Sequence, residues 1–196
     1  MADVWRSDRL VYRALDSPND EKFVKVLQSD SEGFTNATAQ LPVPQGNAHA
    51  KALIELLQQE LLAVVICLAP LGAATVSSTQ SPTSIGILTL RNGSPKLQHH
   101  GCAHITVDIM APYRGQGHGT ESIKWALQWG FNRANLHRIE IGAYEWNPGA
   151  LKLYERLGFT PEARRRERFF YNGKYYDLVE FGMLVHEWRA LHGSDK

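Results

Sequence analysis

The chain has little cysteine, almost no net charge and no long apolar run. Its two cysteines among 196 residues, Cys67 and Cys102, lie in apolar stretches that read as strands. They have neither the density of a secreted disulfide scaffold nor the spacing of metal ligands, so a reducing, cytoplasmic setting is expected. A formal net charge of +1 excludes a global pull toward nucleic acid or an anionic membrane. Any anionic ligand must then be held by local geometry, and the expected partner is small. The longest apolar run, Leu61 to Ala74, is broken by Pro70 and Gly72 and is too short to span a bilayer. Met1 to Leu10 carries Asp3, Arg6, Asp8 and Arg9 without an apolar core, so it does not read as a signal peptide. Internal repeats and low-complexity tracts are also missing.

What is present is ordinary for one globular domain over residues 1–196, with 43% hydrophobic and 21% charged residues. Arg9 to Leu15 reads as a first strand. Ser17 followed by Pro18 suggests a helix N-terminus with proline at the first helical position, and Phe23, Val26 and Leu27 then recur at helical spacing. A loop is expected to about residue 47, then a helix over Ala48–Glu60, striped by Ala52, Leu53, Leu56 and Leu57, and a buried strand over Leu61–Leu68. The Gly, Pro, Ser and Thr of Ala69–Ser84 predict a loop, expected to be the most mobile part, before a strand over Ser84–Arg91. A second loop spans Asn92–Gly101.

The strand Ala103–Met110 places Ile105, Val107 and Ile109 on one face and His104, Thr106 and Asp108 on the other. Gly117–Ala134 reads as a helix, His137–Ala143 as a strand and Pro148–Leu157 as a short helix. Phe159–Tyr171 and Tyr175–His186 read as two strands joined at Asn172-Gly173, a strong two-residue hairpin signal. The order predicts a mixed α/β sheet, with close-linked antiparallel strands early and one strand-helix-strand crossover that makes a parallel pair.

Two motifs carry chemistry. Arg114-Gly115-Gln116-Gly117-His118-Gly119 follows a strand and opens a helix, so backbone N–H groups and the positive end of the helix dipole converge where an anion can sit. It is not a P-loop, for no Gly-Lys-Ser/Thr follows, and its glycines do not match dinucleotide spacing. Further on, Asn147-Pro148-Gly149-Ala150-Leu151-Lys152-Leu153-Tyr154-Glu155-Arg156-Leu157-Gly158-Phe159 combines a helix cap, a proline at the first helical position and a glycine C-terminal cap.

Together, R-x-x-G-x-G and N-x-x-A-x-x-L-Y-E-x-x-G-F resemble the signature of the GNAT superfamily of acetyl-CoA-dependent N-acetyltransferases. The late stretch with Arg164, Gly173, Tyr176 and Asp177 resembles its ribosomal-protein N-terminal, spermidine and antibiotic acetyltransferase subgroup. The resemblance implies a single mixed, mostly antiparallel sheet of six or seven strands, flanked by helices, with the parallel pair at the coenzyme A site. It implies that the pyrophosphate lies on Arg114, Gly115, Gln116, Gly117, His118 and Gly119 with Thr120 adjacent, and that pantetheine pairs with the backbone of Val107, Asp108 and Ile109. It also places Asn147 near the thioester and makes Tyr154 the acid for the departing thiolate.

An alkyl ammonium with a pKa of about 10 needs a proton acceptor before it attacks a thioester. Three residues compete for that role: His104, opening its strand where some family members carry a catalytic glutamate; Asp108, where pantetheine should run; and Glu145, just before Asn147. A backbone N–H of 107–109 could hold the developing oxyanion. The expected acceptor is an amine of a small molecule or a peptide N-terminus, and the expected protein is a monomer or homodimer that binds neither nucleic acid nor membrane.

Set against this are a coenzyme A-binding sensor without transfer activity, and an acyltransferase acting on a hydroxyl or with a longer acyl chain. No metal is expected, since His99 and His100 lack partners at ligand spacing. The run Arg164 to Arg168 reads as a solvated strand, or a local contact for an acidic substrate, and not as a nucleic-acid surface. Trp125, Trp129, Trp146 and Trp188 read as packing residues, with Trp146 able to wall an acceptor site.

Overall fold

A computed structural model describes residues 3–70 and 82–193. Seven strands hydrogen-bond in the order β1-β2-β3-β4-β5-β7-β6. They are β1 Leu10–Ala14, β2 Leu62–Leu68, β3 Ser84–Arg91, β4 Cys102–Ile109, β5 Arg138–Tyr144, β6 Thr160–Tyr171 and β7 Lys174–Leu184. The helices are α1 Glu21–Ser29, α2 Ser31–Ala37, α3 Asn47–Leu57, α4 His118–Asn132, α5 Pro148–Arg156 and α6 Val185–His192. The mixed α/β sheet and its one parallel pair, β4 with β5, are as expected from the sequence. The parallel register runs from Cys102↔Arg138 to His104↔Glu140.

The chain forms two compact units, Met1–Thr89 with Val107–Trp125, and Leu90–Thr106 with Ala126–Lys196. In the first, β1 and β2 pair antiparallel, Leu10↔Leu68 to Ala14↔Val64. The amphipathic faces of α1 and α3 bury Val24, Leu27, Ala50 and Ile54 with Leu15, Val65, Cys67 and Ile87. Each large aliphatic so buried contributes roughly 1.5–3 kcal/mol of transfer free energy. In the second unit, β5 alternates strictly and buries Ile139, Ile141 and Ala143. Phe181, Met183 and Trp188 are buried there too, with Trp188 tilted against Phe131 at 5.5 Å.

Three local expectations need correction. The first helix starts at Glu21, not at Pro18. The reason is Asp20, whose carboxylate accepts from both Arg13 amino groups and from Asp16 N, while the Ser17 hydroxyl donates to Glu21 instead of capping. The loop expected to residue 47 contains α2, whose Asp30 side chain accepts from Gly33 N. The last strand ends at Leu184, where α6 begins, because the Glu187 carboxylate accepts from Leu184 N and closes the helix start. Residues 71–81, most of the loop expected over 69–84, lie outside the described residues.

Among the described residues no helix is long and apolar enough to cross a membrane. Both cysteines are free, Cys67 buried in β2 and Cys102 half-buried at the start of β4.

Candidate active site

In the first unit, β4 ends at Ile109 and a short 3-10 turn, Ala111–Tyr113, leads to the glycine segment. Gly115 at φ +73° and Gly117 at φ +84° lie in the left-handed region that side chains disfavour. A Cβ on Gly115 would meet nothing within 4 Å, so the backbone conformation, not crowding within the fold, calls for glycine there. The first α4 ladder bond runs from Glu121 N to Gly117 O. The N–H groups of His118, Gly119 and Thr120 therefore stand ahead of the ladder at the positive end of the dipole. His118 is 6% exposed and its Nδ1 has no partner among the described residues. Burial, with Arg9 nearby, lowers its pKa and keeps the ring neutral.

Arg114 opens the motif but turns its side chain away from the glycines. Its Nε donates to Ile109 O at 2.8 Å, and its amino groups pair with Asp30 and, at 3.7 Å, with Glu32. A Cβ on Gly33 would collide with that guanidinium, so α2 is notched to receive it. Asp108 Oδ1 lies 4.0 Å from Arg114 Nη2, while Oδ2 is buried without a partner among the described residues. Burial pushes the Asp108 carboxyl up to about 7, with Arg114 pulling the other way and Asp30 adding to the rise.

The second unit holds the other candidates. His104 is half-buried on β4, and a Cβ on Gly142 would sit 3.9 Å from its Nε2. Burial lowers its pKa against the pull of Glu140 and Glu180, with Arg91 adding to the fall, so the ring is a neutral base at pH 7. Glu145 is spent on structure: one oxygen faces Arg164 at 3.4 Å and the other accepts from Asp177 N at 3.2 Å. Asn147 caps α5 through Oδ1, accepting from Ala150 N at 3.1 Å, with Pro148 at the first helical position. Tyr154 is 7% exposed, edge-on to Phe181 at 5.7 Å, and burial pushes its phenol up to about 12.

Trp146 sits inside an aromatic cluster, stacked on Tyr144 at 4.3 Å and flanked by Tyr171 and Tyr176. A depression of about 390 Å³ between α5 and the β6–β7 hairpin is lined by Leu151, Glu155, Glu162 and Arg164 but includes neither Asn147 nor Tyr154. The basic run is ion-paired, Arg164 with Asp177 and Arg165 with Glu180, as suits a solvated strand. Among the described residues no group of three or more His, Cys, Asp or Glu could hold a metal ion.

Reasoning from sequence missed Asp30, Arg9 and Glu121. Their contacts join residues 84 to 112 positions apart, and no local spacing marks them.

A family model described as an acetyltransferase (GNAT) domain matches residues 9–160. Spermidine N(1)-acetyltransferase of Vibrio cholerae is 37% identical over 85 residues, covering 43% of this chain and 49% of that protein. The Escherichia coli K12 spermidine N(1)-acetyltransferase is 30% identical over 93 residues, covering 47% and 50%. A putative ribosomal N-acetyltransferase of Bacillus subtilis, YdaF, is 30% identical over 88 residues, covering 45% and 48%. The chain thus spans about half the length of the curated relatives it matches. The crystal structure of the Vibrio cholerae spermidine enzyme with CoA and spermine superposes with a TM-score of 0.74 at 23% identity, covering 93% of this chain and 99% of that one. A Bacillus anthracis GNAT acetyltransferase gives 0.73 at 15% identity, covering 92% and 98%. At these identities the likeness is one of fold.

Proposed function

Because the chain belongs to the GNAT acetyltransferase family, we propose that it moves an acetyl group from acetyl-CoA to a primary amine by direct attack in a ternary complex. The acceptor is a small-molecule amine or a peptide N-terminus, and the spermidine acetyltransferases among its relatives favour the former. The observation that carries this reading is the turn over Arg114–Gly119, with three N–H groups ahead of the α4 ladder and glycines at positive φ. A pyrophosphate fits that arrangement without a metal ion. Pantetheine pairs with the backbone of Val107–Ile109, which lies beyond the end of the β4–β5 register at His104↔Glu140. Two free thiols accord with a cytoplasmic setting.

The amine nitrogen bonds to the acetyl carbon, its proton passes to a base, the carbon–sulfur bond breaks and the thiolate is protonated. Asn147 has committed Oδ1 to its cap, which leaves its amide N–H₂ as a donor. With its phenol raised to about 12, Tyr154 stays protonated throughout the working range and can only donate, as the leaving sulfur requires. His104 is the base, since a ring kept neutral by burial has its lone pair available at pH 7. A second reading, Asp108, is favoured by its orphaned oxygen and a carboxyl that titrates near 7.

The test is thiol release from acetyl-CoA with a panel of polyamines, peptides and alcohols over pH 5–9. Turnover with amines is expected, with His104→Gln losing at least tenfold in kcat/KM and Asp108→Asn retaining the acid limb. Loss of that limb in Asp108→Asn would move the base to Asp108. Tight coenzyme A binding without turnover on any acceptor would leave the sensor reading in place.

A further inference from the structure

Glu121 poses a problem for the proposed pyrophosphate turn. Its carboxylate lies in the first turn of α4, where a bound diphosphate would add two more negative charges. The first unit answers this with a residue from before β1. The backbone N of Arg9 donates to Glu121 Oε1 at 2.7 Å, its Nε to Oε2 at 2.8 Å, and the Ser7 hydroxyl to Oε1 at 2.6 Å. Burial alone would raise the Glu121 carboxyl, but these bonds outweigh it and hold the group ionised. The glutamate is thus fully committed and its charge offset by the guanidinium.

The same guanidinium reaches the turn itself. Arg9 Nη1 donates to Gln116 O at 3.0 Å, and a Cβ on Gly117 would stand 3.2 Å from Arg9 Nη2. In a trans peptide the carbonyl and the following N–H point in opposite directions. Holding Gln116 O therefore turns the Gly117 N–H away from Arg9 and fixes that peptide plane ahead of the three free donors of α4. Without the bond, the Gln116–Gly117 plane can rotate about the φ of Gly117, which glycine leaves unrestricted. Arg114, the cation that the motif itself contains, is occupied by Asp30, Glu32 and the Ile109 carbonyl.

We propose that Arg9 is a positioning residue for the coenzyme A pyrophosphate: it locks the Gln116–Gly117 peptide with its N–H toward the diphosphate and cancels the charge of Glu121 beside it. This rests on the reading of the turn as a coenzyme A site. Arg9 acts from behind the turn, through the peptide it holds, and not as a ligand of the phosphate. The side chain is 52% exposed, and its contacts to Glu121 and Gln116 stay within one unit of the fold.

The test is calorimetric titration of wild type, Arg9→Ala and Arg9→Ala/Glu121→Gln with coenzyme A, dephospho-coenzyme A and pantetheine. Arg9→Ala is expected to weaken coenzyme A and dephospho-coenzyme A alike, about tenfold, and to leave pantetheine unchanged. The double variant, with no glutamate charge left to offset, is expected to recover about half of that loss on a logarithmic scale.

A loss confined to coenzyme A would assign Arg9 to the 3′-phosphate and overturn the proposal. An equal loss for pantetheine would reduce Arg9 to general support of the fold and overturn it too, as would unchanged binding of all three. Wild type that binds pantetheine as tightly as coenzyme A is a separate failure, since it removes the pyrophosphate site itself.

Discussion

Asp108 keeps a buried carboxyl at a cost in stability. Its carboxyl titrates near 7 in the fold because burial outweighs Arg114, against about 4 in an unfolded chain. Between those values the folded state holds the extra proton, so its stability relative to the unfolded chain falls as pH rises through the window. Asn, neutral and nearly the same shape, removes that penalty. Asp108→Asn should therefore raise the melting temperature, and more at pH 8 than at pH 5, as differential scanning calorimetry would show; a shift equal at both pH values would contradict the raised pKa. His104 is the opposite case, for burial lowers its pKa and leaves the ring uncharged at neutral pH. Neither environment was legible in the sequence. Alternation put both residues on one face of β4, but the shifts depend on Asp30, Arg114, Glu140 and Glu180, which no spacing rule brings near.

At the scale of the element, legibility followed locality. The Asn172-Gly173 turn joins β6 to β7 with both residues at positive φ, because that turn chemistry is complete within two residues. The start of α5 is equally local, and Asn147→Ala should cost about 1 kcal/mol by removing the bond from Ala150 N. For a chain of this length that is a fall of roughly 2–4 °C in melting temperature, and an unchanged transition would show the cap to be idle. The basic strand follows alternation where its pairing is regular: Arg164 and Arg165 lie opposite Val179 and Leu178, and each reaches the acid two residues along on its own face, Asp177 and Glu180. Alternation stops being a guide beyond Arg165, where the register shifts before Phe169 and Glu167 sits at φ +50° with its N–H on Asp177. Helix α2 escaped notice because seven residues make too short a period, and its start depends on the Asp30 cap.

For the molecule as a whole, the mixed sheet and its single parallel pair could be anticipated, because a crossover helix forces parallel strands and short connections favour antiparallel ones, whereas the place of β7 between β5 and β6 could not. Its division into two compact units could not, since both β4 and α4 contribute residues to each. Occupation of the turn should stabilise the fold by mass action. At a hundredfold excess of coenzyme A over its Kd, about 2.7 kcal/mol is expected, or roughly 5–10 °C, and pantetheine at the same concentration should give much less. Thermal melts that move equally with both would argue against a phosphate-binding turn.

The unequal burial of Cys67 and Cys102 also governs how turnover can be recorded. Each proposed transfer would liberate one thiol that a disulfide dye counts, but half-buried Cys102 offers the dye a thiol of its own before any substrate is added. Cys67, enclosed in β2 with its thiol pushed up by burial, stays silent. Colour from native protein therefore begins with up to one equivalent per chain, and Cys102→Ser gives the flat baseline against which slow acceptors can be ranked.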